Sequence, residues 1–433
     1  MILERFGAGE IRSYVRNAGW SFFGNLSYAV CQWGVLIVLA QTADPSVLGE
    51  YSLALAITTP IVLFSMLALR KVQVSDVRSD YSFFHYLKLR VITSILAIGF
   101  VGVAALLITT STRLWLVIVI VGVAKCLDAV SDVYQGLFQS CDDLSTVGKS
   151  FSINGFLTLL FCATAAVVAD DLIWVAAASA VASGSVLIFY LLPKSRPITN
   201  STIANIEHLS LRLKHLLPLA QKALPLGIAA LLVALRSNIP KYELQYFATS
   251  TDLGVFAALS YLLVAGNTIV SALAQAALPR LSRLHYAAES TMFLDFTLSL
   301  IIFSSLLVLI ALMLSKLIGQ SVIRLMYGDV YAQHVDVLMI LVLSCLFSFA
   351  SWILDYAIVA AQQFRQQLIL QIFVLIMTCL ISTIAISRWQ LRGAAFAVLV
   401  VAAIEAALRA AFFWRILVSL RVRQHEVLSN VAD

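Results

Sequence analysis

The stretch VITSILAIGFVGVAALLIT, residues 91–109, runs for nineteen residues without a charge. A helix rises about 1.5 Å per residue, so such a run crosses the roughly 30 Å hydrocarbon core of a bilayer. Strands there would leave backbone groups unpaired in lipid, so the stretch reads as a membrane-spanning helix. Working outward, twelve segments qualify, near residues 18–40, 49–69, 89–109, 114–138, 150–169, 172–192, 223–246, 253–277, 294–314, 335–361, 366–387 and 393–414. Composition agrees: of 433 residues 61% are hydrophobic and 12% charged, with a mean hydropathy of +0.94. A soluble domain carries about 25% charged residues, so this chain cannot cover a water-facing surface. Soluble enzymes and nucleic-acid readers are excluded as its architecture, despite a net charge of +6. The fold class expected is an all-α integral membrane protein with twelve transmembrane helices.

The distribution of Lys and Arg sets the orientation, because short cytoplasmic loops retain an excess of cations. With the N-terminus inside, twenty of the twenty-nine cations fall on the cytoplasmic side, among them Arg70, Lys71, Arg78, Lys88, Arg90 and Arg212. Five fall outside: Arg113, Lys316, Arg324, Arg388 and Arg392. Both termini are therefore expected in the cytoplasm. The basic approach of Arg5, Arg12 and Arg16 suits a retained first helix, and the cleavage-like stretch at residues 39–43 is discounted.

The polar, basic segment 193–222 follows six helices and divides the chain. The expected organisation is a six-helix bundle over 1–192, a cytoplasmic linker over 193–222, a second six-helix bundle over 223–417 and a tail over 418–433. The halves echo each other: LGEYSLA at residues 48–54 opens the second helix, and LGVFAAL at 253–259 opens the eighth. Even helix counts insert both halves in the same direction, so their pseudo-two-fold axis is expected along the membrane normal. Such repeats bind substrate near mid-bilayer, between the halves.

The six cysteines lie in or beside apolar runs without a CxxC pair, and the six histidines, including His85 and His208, fall in loops or tails without metal-ligand spacing. Neither a metal nor a cofactor is expected. A GxxxxGK[ST] phosphate loop is missing, as are an HExxH motif and a large outer loop. Movement of a substrate is thus a better class than chemistry on one.

The cations left at membrane depth are Lys125, Arg236, Lys241 and Arg409. An ionisable side chain at mid-bilayer costs roughly 2.5–3.5 kcal/mol on insertion scales and needs a partner, a wet cavity or a function. Lys125, Asp128 and Asp132 share one face of the fourth helix, where Lys125 and Asp128 can neutralise each other. On the seventh helix, Arg236, Asn238, Pro240, Lys241 and Glu243 cluster, and Arg236 lies about 21 Å along the helix from Lys222. No carboxylate stands three or four residues from Arg236 on its own helix, and Pro240 predicts a kink or broken turn beside it. Glu243 reads as interfacial. Glu405 and Arg409 are four apart on the twelfth helix, spaced for an ion pair. Asp355, between Trp352 and Tyr356 on the tenth helix, is a candidate proton or sodium site, and so are Asp128, Asp132 and Glu405. Arg70 ends the second helix, while Asn25, Gln32 and Trp33 make the first helix polar and aromatic.

Three stretches resemble a known family. Residues 17–33, residues 48–76 with their basic loop, and the run from RSNIPKY at 236–242 through Leu253-Gly254 to Pro279-Arg280-Leu281 are similar to the Wzx-type flippases of O-antigen and exopolysaccharide. These belong to the multidrug/oligosaccharidyl-lipid/polysaccharide (MOP) exporter superfamily. The resemblance implies two six-helix bundles in a MATE-like V around a central cavity. It implies transport of undecaprenyl-pyrophosphate-linked oligosaccharide from the inner to the outer leaflet of a bacterial cytoplasmic (inner) membrane. Membrane lipids, glycosyltransferases and a glycan polymerase are the implied partners. Fixed cations would replace the water lost by a pyrophosphate, which makes Arg236, Lys241, Lys125, Asn238, Arg70, Asn25 and Gln32 the candidate substrate-binding residues. Two alternatives stand beside this reading: a cation-coupled small-molecule exporter of the same superfamily, and a non-transporting scaffold of a glycan-assembly complex. The major facilitator type is disfavoured because RKVQVSD at 70–76 lacks a Gly-Asp-Arg-Gly-type loop.

Overall fold

The computed structural model describes residues 8–76, 81–169, 171–203, 213–361 and 363–432; Arg5, Arg78, His208 and Arg212 lie outside them. The chain divides into two compact units, Met1–Leu235 and Arg236–Asp433, so the divide falls inside a helix rather than in the 193–222 stretch. That stretch is itself helical over Leu192–Ile203 and again from Leu213.

The first unit comprises α1 (Ala8–Thr42), α2 (Pro45–Met66), α3 (Leu69–Ser75), α4 (Phe83–Ile108), α5 (Thr112–Ser140), α6 (Leu144–Val168), α7 (Leu172–Ser185), a π-helical stretch (Val186–Leu191), α8 (Leu192–Ile203) and most of α9 (Leu213–Phe247). α5 is central, packing against α2, α4 and α7. α1 lies along α6 because glycines let the backbones close: a β-carbon on Gly24 would run into the Gly148 carbonyl oxygen, and one on Gly155 would sit 2.9 Å from the Tyr28 Cα. Small residues serve this purpose in lipid, where helices gain nothing from burying apolar surface as such. Hydroxyl and carboxylate side chains satisfy helix starts, with Ser111 accepting from the Leu114 amide and Asp143 from the Thr146 amide.

The second unit holds the end of α9, then α10 (Ser250–Leu262), α11 (Val264–Tyr286), α12 (Ser290–Tyr327), α13 (Asp329–Ala332), α14 (Val335–Ala360) and α15 (Phe364–Ala432). Here α14 is central, against α10, α11, α12 and α15. α15 is not one rod. Gln390 has φ 46° and ψ −121°, and a β-carbon on Gly393 would meet the Ala385 carbonyl. Residues eight apart in a straight helix are about 12 Å apart, so the chain reverses at Gln390. Leu370 and Val374 of one limb accordingly cluster with Val401, Leu408 and Phe412 of the other.

Among the described residues ten helices are long and apolar enough to span a membrane by length and composition, or eleven if the pair bent by 44° between α10 and α11 is one span. Four local expectations are corrected. Segment 253–277 is not continuous but breaks between Leu262 and Val264. α9 is helical through Pro240, with no broken turn; the ring frees one carbonyl, that of Arg236, which a membrane helix tolerates when neighbours re-satisfy it. α12 runs well past residue 314 and takes Lys316 and Arg324 into the helix. α4 begins at Phe83, so His85 is a first-turn residue bonded to the Ser82 hydroxyl at 2.7 Å. Lys88 is likewise helical rather than a loop charge, and Arg90, at the start of the expected segment, is fully buried.

The echo between the halves has a structural counterpart. Leu48 is the fourth residue of α2 and Leu253 the fourth of α10. Leu48, Leu53 and Ala54 are buried, and so is the whole string 253–259. Both helices are then interrupted, α2 at Leu67 and Ala68 (φ 49° and 47°) and α10 at Leu263.

Candidate functional site

The membrane-depth charges of each unit lie in small groups of partners. In the first unit the α2–α3 break delivers Arg70 to α5. Arg70 Nε donates to Gln139 Oε1 at 2.9 Å, and Nη1 reaches Gln135 Oε1 at 3.2 Å and Asp132 Oδ1 at 3.5 Å. Arg90 Nη2 holds the other Asp132 oxygen at 3.3 Å, while its Nε and Nη1 have no partner among the described residues. Gln135 donates to Ser150 at 3.0 Å. Asp128 faces Lys125 at 3.9 Å and accepts from Asn154 at 2.9 Å. The expected Lys125–Asp128 pair is thus present. Asp132, however, is bridged by two arginines from other helices, Arg70 and Arg90. On α1, Asn25 is exposed and Gln32 half-buried.

In the second unit Arg236 of α9 does have a carboxylate, supplied from the second limb of α15. Its Nη1 lies 2.8 Å from Glu405 Oε1. Arg409, one turn on from Glu405, donates Nη2 to the same oxygen at 2.9 Å and to Asp355 Oδ1 of α14 at 3.3 Å. Arg409 Nη1 donates to the Ser351 carbonyl at 3.0 Å. Glu405 and Arg409 are buried, as the spacing rule for helical pairs anticipated; Asp355 joins them through packing that no spacing predicts.

A cavity of about 370 Å³ opens beside this chain of charges, lined by Arg236, Lys241, Tyr261, Asn267, Ser348 and Glu405 among others. Lys241 makes no ion pair or hydrogen bond among the described residues. Asn238 is buried beside Ser237 rather than in the cavity wall. The charged residues lining the cavity are Arg236, Lys241 and Glu405, two cations against one carboxylate, so the cavity has a surplus positive charge. Tyr261, Asn267 and Ser348 add hydroxyl and amide groups that sequence reasoning missed. Asn267, in an eighth segment that also carries Ser260, Tyr261, Thr268, Ser271 and Gln275, belongs to a polar pattern that could have found them. Chemically the cavity wall combines two cations with hydroxyl and amide groups; among the described residues no group of three or more His, Cys, Asp or Glu could hold a metal ion.

Comparison with known proteins agrees in fold and family. An inward-facing multidrug resistance MATE family transporter of the MOP superfamily superposes with a TM-score of 0.65 at 14% identity, covering 93% of this chain and 95% of that one. A MOP superfamily transporter from Pyrococcus furiosus, described as having a binding pocket of reverse polarity, gives 0.60 at 12% identity over 94% and 96%. The capsular polysaccharide biosynthesis protein CapF of Staphylococcus aureus is 24% identical over 390 residues, 89% of this chain and 95% of its own length. The chain has the MOP-superfamily transporter fold, and because the family model "Polysaccharide biosynthesis protein" matches residues 14–285, it belongs to the polysaccharide biosynthesis protein family.

Proposed function

We propose that this polysaccharide-related transporter flips undecaprenyl-pyrophosphate-linked oligosaccharide from the inner to the outer leaflet of a bacterial inner membrane, without chemistry of its own. The observation that carries the reading is Lys241, a cation with no partner among the described residues, in a cavity whose other deep cation, Arg236, is held by a shared carboxylate. A pyrophosphate presents strong acceptor oxygens, and ammonium and guanidinium groups meet them with charge-assisted hydrogen bonds. Tyr261, Asn267 and Ser348 offer partners for sugar hydroxyls.

The span count fits this reading: the limbs of α15 on either side of Gln390 and the bent α10–α11 pair bring the helices to twelve, six before and six after the 193–222 stretch. An even count would put both termini on one side, and the excess of basic residues in the loops of that side supports the cytoplasm for both. Alternating access would open the cavity to each leaflet in turn, with protonation or sodium binding at Asp128, Asp132, Asp355 or Glu405 biasing the two states. Lys125 and Arg70 would serve the substrate from the first unit. Glycosyltransferases and a glycan polymerase would supply and consume the cargo.

Glu405 in the cavity wall favours a second reading, a cation-coupled exporter of small cations. Two arginines already neutralise that carboxylate, so a cationic drug would meet net repulsion. The deciding experiment is flipping of a fluorescent undecaprenyl-pyrophosphate oligosaccharide in proteoliposomes by the wild-type chain, Lys241→Ala and Arg236→Ala. Loss in both variants supports the proposal. Undiminished flipping, or export of cationic dyes without flipping, overturns it.

A further inference from the structure

A second cavity of about 390 Å³ lies in the same unit between α11, α12 and α14, lined by Leu263, Gly266, Val308, Ala311, Leu338 and Phe349 among others. Ser315 is the one hydroxyl side chain among its described lining residues, so it offers almost nothing to a hydrated group. Ile269, Leu314 and Ile318 at its edge are exposed, so the cavity opens outward along apolar side chains. Leu263 lines both this cavity and the cationic one and stands at the break between α10 and α11. An ordinary continuous helix would present one wall to one cavity; the interruption lets a single residue separate two cavities of opposite character. A molecule that filled both would need a compact anionic head and a long unbranched or methyl-branched hydrocarbon chain leaving it at one point.

We infer that the apolar cavity seats the head-proximal part of the polyprenyl chain of the same molecule whose pyrophosphate lies at Lys241, the two joined past Leu263. This rests on the flippase reading above. A polyprenyl chain is no less soluble in lipid than in a protein groove, so the cavity adds little by excluding water. Its contribution is positional: with the chain held on one side of Leu263, the head is presented to Lys241 and Arg236 at a high effective concentration. Because the rim is exposed, the remainder of the chain stays in the surrounding lipid while the head sits in the cationic cavity.

The test uses the full chain in nanodiscs, with a polyprenyl pyrophosphate bearing a photoactivatable diazirine on an isoprene unit near the head. Crosslinks should map to α11 and α12 around Ile269 and Leu314, and be competed by undecaprenyl pyrophosphate but not by phosphatidylglycerol. Ala311→Trp fills the cavity and should weaken binding of the polyprenyl probe by roughly tenfold, the loss expected when two-point attachment becomes one-point, while leaving binding of inorganic pyrophosphate unchanged. Gly266→Leu is the second variant, since a β-carbon there meets only Phe349 at an ordinary 3.5 Å and the fold should tolerate it. Crosslinks scattered over other helices, competition by phosphatidylglycerol, or undiminished probe binding in both variants overturns the inference. If pyrophosphate binds the wild type but not Lys241→Ala, the head site stands whatever the chain does. If pyrophosphate does not bind the wild type at all, the flippase reading fails, and the inference with it.

Discussion

Replacing Arg236 with alanine separates two roles that the charge cluster of the second unit can play, binding a ligand and bracing helices. Glu405 accepts from Arg236 at 2.8 Å and from Arg409 at 2.9 Å, so losing Arg236 leaves the carboxylate with a buried partner. Two unit charges about 4 Å apart interact by about 4 kcal/mol at an effective dielectric near 20. The desolvation of Arg236 offsets much of that, and its side chain is 22% exposed to the cavity. The net loss for Arg236→Ala is therefore set at about 1–2 kcal/mol. Arg409 differs: its side chain is 3% exposed and it serves Glu405, Asp355 and the Ser351 carbonyl together. Removing it loses three interactions of one buried guanidinium, two of them to carboxylates, at a cost of about 3–5 kcal/mol. Thermal unfolding in detergent, followed by tryptophan fluorescence, should thus rank wild type, Arg236→Ala and Arg409→Ala in descending order. Flipping in proteoliposomes should fall at least about tenfold in Arg236→Ala, equivalent to some 1.4 kcal/mol, although the protein remains folded. If Arg236→Ala is as unstable as Arg409→Ala, or flips normally, then Arg236 is a brace and the argument from the cavity is wrong.

Asp132 and Arg90 should be coupled: Arg90→Met and Asp132→Asn each destabilise, and the double variant recovers part of the loss, giving a coupling energy of about 0.5–3 kcal/mol by denaturation of the four proteins. Gly24→Ala should force α1 from α6 and cost about 1–3 kcal/mol, whereas Gly99→Ala, with nothing within 4 Å, should be neutral or stabilising by up to about 1 kcal/mol. Gln390→Gly should raise the melting temperature by relieving a positive φ, a gain near 1 kcal/mol, while Gly393→Ala should lower it because its new methyl group meets the Ala385 carbonyl.

Much of this was legible in the sequence because the relevant rules are local. Apolar runs gave the helices, and spacings of three and four gave the Lys125–Asp128 and Glu405–Arg409 pairs. What stayed hidden was set between helices. Nothing on α9 says that Glu405, far along the chain, will face Arg236, and nothing near Asp132 names Arg90 as its partner. His85 and Lys88 fell outside the expected segment because α4 starts at Phe83, several residues before the apolar run becomes continuous. The breaks misled in both directions. Leu67 and Ala68 take left-handed conformations without a glycine or proline to announce them, whereas the turn at Gln390 falls in the gap between segments 366–387 and 393–414. Pro240 announces a break that the helix does not make.

The surplus of one positive charge in the cavity wall bears on the energetics of a transport cycle, not only on the grip. A cavity lined by two cations, Arg236 and Lys241, and one carboxylate, Glu405, is net positive when empty, and a doubly negative head makes it net negative when loaded. As access shifts across the site, an interior-negative membrane potential would favour the loaded site facing outward and the empty site facing inward, by about 2.3 kcal/mol per full charge per 100 mV. Both strokes would then be electrically downhill, and the turnover of such a carrier would respond to voltage even without a coupling ion.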